Sequence, residues 1–571
     1  MWGAFLYALS LGGSTIAEPL IKGLFIHIHL IIDTASGGDA AQQGKKMKTT
    51  RDSRNHPAVG RVRYVLLFMA LVVLFASGCS TLKPEPPQDP LYSLPPAPSG
   101  LLATVFEDVS EQLDPEDSGF LLLTHNRKAL EWRLALIDNA TSSIDAQYFI
   151  WDNDEAGTLL FERILKAADR GVRVRLLVDA IGFASTDHFA SAMAMHPNFD
   201  IKIFNPGKVR SSKLGAMGEF LLYFRELNRR MHNKLFIVDN RMAIVGGRNI
   251  GNEYFGLAKK FNFRDLDVLT VGPVVEEISH AFDDYWNADL SYSGAYMSGK
   301  AKPGDINLIR ESLADYFGQL PELVASYPEN SVRWKEKIAR LPSIMKTGEA
   351  HFLQDEPVSF GGEELRLNDM LAYLAEPSHE EIIIATPYLI PVGDFLKNVK
   401  AVSSEGVKVK IITGSMGSNN HTAAHSHYKK YRRRILAAGA ELYEFRHDPS
   451  LEVREIADDP PVESDFISLH IKALVGDRTR CFIGSLNLDP RALVINTENG
   501  LYIQSDDLCE ELAMQFESLM EPENAWRVSL DEKDRLRWQS GSEIVTRQPA
   551  RSFGQRIADF FFRLLPIESQ L

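Results

Sequence analysis

Cysteine is scarce in this 571-residue chain, with only Cys79, Cys481 and Cys509. Three cysteines cannot build a disulfide framework, and separations of 402 and 28 residues match no zinc-ligand spacing, so neither a structural disulfide nor a metal centre is expected. Hydrophobic runs long enough to cross a bilayer are also wanting. The run that stands out, Tyr64–Ala76, has 13 residues, whereas a spanning helix needs about 20. Positive charge is in deficit: 62 Lys+Arg against 76 Asp+Glu leave −14, and beyond residue 78 the balance is 54 against 72, or −18. A general nucleic-acid binder carries a basic footprint instead. What the chain does have is 45% hydrophobic and 24% charged residues, which excludes wholesale disorder and a polytopic membrane protein. Its length suits three or four units, or two large ones with appendages.

Four arginines and one acid between Arg51 and Arg63 precede the Tyr64–Ala76 run, the pattern of an export signal. The run leads into Ala76-Ser77-Gly78-Cys79, which resembles the lipobox of bacterial lipoproteins, where the cysteine sulfur is lipidated and its nitrogen becomes the mature N-terminus. Ala76 departs from the commonest leucine. An ordinary signal anchor with an incidental cysteine is the plainer reading, but Pro84, Pro86, Pro87, Pro90, Pro95, Pro96 and Pro98 follow Cys79. Such a stretch stays extended and holds a folded body off a membrane. Ser80 in place of aspartate then points to the outer membrane, with the body facing the periplasm. Residues 1–46 lack a basic flank before a long apolar run, and Met47-Lys48 opens a better-formed signal, so Met47 is the expected start.

The body repeats itself. Ser143–Ile150, Gly157–Arg170 and Gly171–Leu177 read as strand, helix, strand, and so do Glu381–Tyr388, Phe395–Ser404 and Gly406–Ile412. Alternation of this length predicts βαβ units. Downstream lie His232-Asn233-Lys234 with Asp239, and His470-Ile471-Lys472 with Asp477; Tyr148 to His232 spans 84 residues and Tyr388 to His470 spans 82. The expected organisation is an export signal over 1–78 (1–46 an upstream extension), a Pro-rich tether over 79–105, a domain over 106–297, a helical connector over 298–355 and a second domain over 356–571.

In each repeat His and Lys stand two apart, so on a strand both project from one face. Gly246-Gly247-Arg248-Asn249 and Gly484-Ser485-Leu486-Asn487 begin seven residues after the respective aspartates. Here the chain resembles the phospholipase D superfamily, marked by two copies of His-x-Lys-x4-Asp followed by Gly-Ser-x-Asn. A buried histidine at a strand end would explain either copy alone, but not the pair. Further segments, Tyr148–Trp151, Leu227–Lys234, Val245–Gly251, Asp265–Val268, Leu488–Arg491 and Asn496–Glu498, are similar to the bacterial cardiolipin synthase branch, closest to its cardiolipin synthase C subgroup. The resemblance implies two tandem phospholipase D-like α/β/α domains, each with a mixed, largely parallel sheet, related by pseudo-twofold symmetry. Gly247 stands where much of the superfamily has serine.

A phosphodiester repels incoming oxygens and its alkoxide leaves poorly. By the resemblance, Lys234 and Lys472 place charge on the non-bridging oxygens and Asn249 and Asn487 donate hydrogen bonds to them. One histidine attacks phosphorus to make a phosphatidyl-enzyme, and the other protonates the departing alcohol and then accepts a proton from the incoming one. His232 is assigned as nucleophile and His470 as acid/base, with the reverse left open by the near-symmetry. Carboxylates orienting the imidazoles are expected from Glu498 for His470 and from Asp265 for His232. Asp239 and Asp477 complete the motifs but read as structural residues. Both histidines must meet at one phosphorus, so the site is expected in a cleft between the halves, with no cofactor.

Other features are plainer. His421, His425 and His427 resemble a metal site by composition, but read better as a loop and helix N-terminus near the cleft, with headgroup contact between these readings. The basic cluster Lys429–Arg434 is a solvated helix face or a lure for anionic lipid. Residues 551–565 form an amphipathic helix, for which packing on the second domain is favoured over insertion into an interface. The expected function is an outer-membrane-tethered phosphatidyltransferase making cardiolipin from phosphatidylglycerol and a second phospholipid, with phosphatidylethanolamine a candidate, at a membrane surface and without nucleic acid. A hydrolytic phospholipase D and, from another class, a non-catalytic lipoprotein scaffold are the alternatives.

Overall fold

The computed structural model describes residues 82, 85–183, 185–210, 213–297, 299–357 and 378–571. The expected signal, Cys79 and Ser80 lie outside them. The chain divides into two units, one of Met1–Ser80 with Lys208–Phe224 and one of Thr81–Gly207 with Arg225–Leu571. In the first, the described part is the Lys213–Leu222 helix and its lead-in, where the Glu219 carboxylate accepts from the Lys208 and Val209 amides at 2.8 Å each. The second unit carries both repeats.

The first repeat contributes β1 (Asp117–Leu123), β2 (Ser143–Trp151), β3 (Arg173–Phe183), β4 (Phe199–Phe204), β5 (Leu235–Val238), β6 (Met242–Gly246), β7 (Asn262–Arg264), β8 (Asp267–Val271) and β9 (Ser291–Ser293). The second contributes β10 (Lys346–Gln354), β11 (Glu381–Ala385), β12 (Lys408–Gly414), β13 (Glu441–Phe445), β14 (Ile467–Leu469), β15 (Ala473–Gly476), β16 (Arg480–Gly484), β17 (Asn499–Gln504) and a β18–β20 meander over Ala525–Leu530, Leu536–Ser540 and Glu543–Val545. Strand order β9-β4-β3-β2-β5-β6-β8-β1 continues through an antiparallel β1–β10 pair into β10-β17-β16-β15-β11-β12-β13-β18-β19-β20. The sheet is mixed, as expected, but it is not largely parallel. Only β2–β3–β4 and β11–β12–β13 run parallel, because the motif strands return through tight hairpins and add antiparallel partners.

Those hairpins explain the motif aspartates. Asp239-Asn240 and Asp477-Arg478 all have left-handed φ between +48° and +57°, the geometry of a type I′ turn. The Asp239 carboxylate accepts from the amides of Thr141, Ser142 and Ser143, and Asp477 from those of His379, Glu380 and Glu381. Each aspartate thus caps the start of the neighbouring strand, β2 or β11, at the end of the hairpin remote from the histidine.

Two expected boundaries shift. Residues 346–354 are strand β10 and not helical connector; the helices stop with Leu341–Ile344. The later part of the Pro-rich stretch is docked on the body: Arg175 Nη1 donates to Leu91 O at 2.9 Å, Asn287 Oδ1 accepts from the Leu91 amide at 2.9 Å, and the Ala97 amide donates to Asp239 O at 2.9 Å. Proline supplies the extended backbone, and these bonds hold it down.

One hydrophobic core is common to both repeats. Leu235, Val245, Ile278 and Phe282 of the first pack with Ile383, Val475, Leu512 and Phe516 of the second. The helices Val274–Trp286 and Asp506–Met520 supply the last two of each set. Rigid packing across the repeat boundary fixes the two motif hairpins relative to each other.

Candidate active site

The site forms where each repeat donates a strand to the other. The His232 amide donates to Thr497 O and the Thr497 amide to Arg230 O, both at 2.9 Å, while β14 pairs in parallel with β7 and the His470 amide donates to Arg264 O at 2.9 Å. These crossings carry each histidine to the carboxylate of the opposite repeat. His232 Nδ1 bonds Glu498 Oε2 at 2.7 Å, and His470 Nδ1 bonds Asp265 Oδ2 at 2.6 Å. The expected pairing of Glu498 with His470 and of Asp265 with His232 is therefore reversed. Spacing along the chain puts each carboxylate after its own repeat's histidine, but the strand exchange places it against the histidine of the opposite repeat. With Nδ1 engaged, Nε2 is the nitrogen of each imidazole left for chemistry.

Both lysines lie against the motif backbone. Lys472 Nζ donates to His470 O at 2.6 Å and Lys234 Nζ to His232 O. Asn249 Oδ1 accepts from the Ile150 amide at 3.1 Å and its Nδ2 donates to Tyr254 Oη at 2.9 Å. Asn487 Oδ1 is buried without a hydrogen-bond partner. Aromatic rings wall both imidazoles: Phe149 meets His232 edge-on at 5.0 Å, and Tyr254 and Phe263 flank His470 at 5.4 and 4.4 Å.

Several supports show no periodicity in the sequence, although Arg248, Asp267 and Arg230 lie within segments that carry the family resemblance. Arg248 is fully buried and donates to Leu123 O, Thr124 O, Asn126 Oδ1 and Asp265 O. Its partner Asp267 also binds Arg133 at 2.9 Å, which fixes the backbone that presents Asp265. Asp355 Oδ2 accepts from the Glu498 amide at 2.9 Å. On the other side, Asp179 Oδ2 accepts from the Met231 amide at 3.1 Å and Oδ1 meets Arg230 at 3.3 Å. Buried arginines spaced irregularly along the chain reveal no period, which is why pattern reading passes over them.

Burial and crowded cations set the protonation. Burial, then Lys234 and Lys472, hold the His232 imidazole well below its ordinary value. Burial and Lys472 push His470 down to about 3 against the pull of Asp265. Burial lowers Lys234 to about 7 and Lys472 to about 8. For Asp265, burial acts upward but the charges of His470 and Lys472 outweigh it, leaving about 2; for Glu498 burial wins over Lys234, giving about 8. The resting site is short of negative charge, and an entering phosphate would supply it.

The histidine run at 421–427 is a helix N-terminus, as expected, with His421 at its cap and His425 and His427 within the helix. His421 Nδ1 accepts from the Ala424 amide at 3.3 Å and opens the Thr422–Tyr428 helix, His425 Nδ1 bonds Asp559 at 3.2 Å, and His427 Nδ1 bonds Glu568 at 3.0 Å. The run therefore latches the C-terminal segment. Packing of residues 551–565 on the second repeat is seen for one face only, through Asp559, Phe562 and Leu565. Among the described residues, Asp152, Asp154 and Glu253 bring carboxylate oxygens within 4.8 Å of one another, and none of them belongs to the motifs.

The chain matches the family model described as cardiolipin synthase, PLD-like domain, twice, over residues 134–286 and 371–520. It belongs to this family. Cardiolipin synthase C of Escherichia coli (strain K12) is 33% identical over 473 residues, covering 80% of this chain and 96% of that protein. The major cardiolipin synthase of Bacillus subtilis (strain 168) is 24% identical over 407 residues, covering 70% and 68%. The crystal structure of phosphatidylserine synthase from Haemophilus influenzae Rd KW20 superposes with a TM-score of 0.51 at 14% identity over 82% of this chain and 100% of that one, a likeness of fold. The chain is thus an enzyme of the phospholipase D superfamily, and its substrates are phospholipids.

Proposed function

We propose that this cardiolipin synthase-family enzyme makes cardiolipin by two displacements at one phosphorus lying between His232 and His470. The crossed pairs His232–Glu498 and His470–Asp265 carry the proposal, since they give each imidazole a fixed tautomer with Nε2 as its reactive nitrogen. In the first step His232 Nε2 attacks the phosphorus of the donor phospholipid, phosphatidylglycerol in the simplest case. The bond to the headgroup oxygen breaks, and His470, which takes up a proton to become the imidazolium when the anionic phosphate enters, gives that oxygen its Nε2 proton. Lys234 and Lys472 with the amides of Asn249 and Asn487 hold the non-bridging oxygens as charge builds. In the second step His470 takes the proton from the hydroxyl of a second phospholipid, whose oxygen attacks phosphorus and expels His232. Phosphatidylethanolamine, which has no headgroup hydroxyl, is a candidate for the donor, with ethanolamine then leaving in the first step and phosphatidylglycerol supplying the attacking hydroxyl in the second. Asp265, ionised in this site, stabilises the His470 imidazolium that donates in the first step and re-forms in the second.

The lipobox-like sequence supports acylation of Cys79 and a periplasm-facing outer-membrane location. Among the described residues no helix is long and apolar enough to cross a membrane. Labelled fatty acid should enter the wild-type protein and not Cys79→Ala; equal labelling of both contradicts the tether. The function is tested by lipid mass spectrometry on a cardiolipin-free strain expressing the chain. Cardiolipin should appear with wild type and vanish with His232→Ala and with His470→Ala. Full synthesis by either variant overturns the two-histidine reaction, and phosphatidic acid in place of cardiolipin makes the enzyme a hydrolase.

A further inference from the structure

The Phe553–Arg563 helix is turned inside out. Its protein-facing side carries Asp559, 2% exposed, which holds His425 and Lys429, and Gln555, whose Nε2 donates to Met416 O. Its outer side carries Phe553, Ile557, Phe560, Phe561 and Leu564, exposed by 73, 45, 51, 61 and 61%. Spacings of four, seven, eight and eleven residues from Phe553 put all five on one stripe about 100° wide, which on a surface helix normally faces the core. Arg556 and Arg563, seven residues apart, line one edge of the stripe, and Arg547 lies just before the helix. The helix is nevertheless firmly attached: Ser552 Oγ caps it through the Gln555 amide at 3.2 Å. Beyond it Glu568 binds Lys430 at 2.7 Å, and Gln570 accepts from Asn228, four residues before His232, at 3.0 Å.

We propose that this stripe is an interfacial anchor that enters the surface of a bilayer rich in anionic phospholipid, with the arginines on its headgroups. The inference rests on the reading that the substrates are bilayer lipids. A large apolar stripe with a cationic border fits such a surface, and the bonds to Asn228 and to the 422–428 helix tie it to the catalytic body.

The test is hydrogen–deuterium exchange on the full chain with and without vesicles. With phosphatidylglycerol vesicles, amides of 553–564 should slow at least tenfold, and less with phosphatidylcholine vesicles. The protection should vanish in Phe560→Asp/Phe561→Asp and should lose its preference for anionic lipid in Arg556→Glu/Arg563→Glu. All four residues are solvent-facing or half-buried, so unchanged exchange in β5 and β15 confirms that each variant folds. The aspartate variant should turn over dispersed short-chain phosphatidylglycerol like wild type and bilayer lipid at least tenfold more slowly. Equal exchange with and without vesicles overturns the anchor, as does protection that appears without lipid on raising protein concentration, which assigns the stripe to a second copy. Absence of lipid turnover in every form, with vesicle protection intact, would fault the enzymatic reading and leave the anchor standing.

Discussion

The two halves of the site solve one problem with different carboxylates. In the first repeat a Cβ on Gly247 would come within 2.3 Å of Asp265 Oδ1, so the carboxylate fills the space that a serine would need. In the second repeat the equivalent residue is Ser485, whose Oγ donates to Glu498; the extra methylene of glutamate leaves room for the hydroxyl. Asp265 is held down to about 2 and faces His470, whereas Glu498 is pushed up to about 8 and faces His232. An ionised partner favours a histidine that must become cationic, and a neutral one leaves its histidine unprotonated. Duplication has kept the histidines and lysines and varied the groups that set their charge, and the difference runs in the sense that the proposed roles of His232 as nucleophile and His470 as acid/base require.

Swapping charge for its neutral isostere should set the two halves furthest apart. Asp265→Asn removes a real charge and upsets the His470 tautomer, so a loss of roughly 10³ to 10⁴ in kcat/KM is expected. Glu498→Gln resembles the neutral carboxyl already present, and a loss of about 10 to 10² is expected. Equal losses would show that the halves are electrostatically alike. Next in size, Gly247→Ser should displace Asp265 and cost about 10² in kcat, and adding Asp265→Glu, which copies the second repeat, should recover at least about tenfold of it. No recovery would mean that the two carboxylates are not matched to their neighbours.

The smallest effect concerns pH. Lys234 at about 7 and Lys472 at about 8 are charged below those values and lose charge above them. KM for an anionic phospholipid should therefore rise between about pH 7 and pH 9, by several-fold, with kcat less affected. A KM that stays flat across that window contradicts the lysines' role in holding phosphate.

The motif residues were legible because duplication printed them twice at equal spacing, and chance does not produce a repeat that long. Asp239-Asn240 was legible as a turn pair, but the antiparallel hairpins that this turn and Asp477-Arg478 close were not, and the sheet is less parallel than expected for that reason. The pairing of His232 with Glu498 and of His470 with Asp265 was not legible either, because the contacts span 266 and 205 residues and rest on strands of three residues or single bridges. Local periodicity holds no trace of such exchange. Strand β10, Lys-Thr-Gly-Glu-Ala-His-Phe-Leu-Gln, has little β propensity and exists because β1 and β17 offer it edges on both sides. The Pro-rich stretch gave its extended conformation away but not its docking, which depends on Arg175 and Asn287 far along the chain.

One shared site with unequal histidines requires a covalent intermediate on one of them alone, and trapping it decides the matter. His470→Asn is mixed with a phosphatidyl donor whose leaving group needs no proton, such as a nitrophenyl ester, quenched in acid and analysed by intact-protein mass spectrometry with peptide mapping. A single phosphatidyl adduct on His232 is expected, with none in His232→Asn under the same conditions. An adduct on His470 in His232→Asn, or none in either variant while wild type turns over, would contradict the unequal pair.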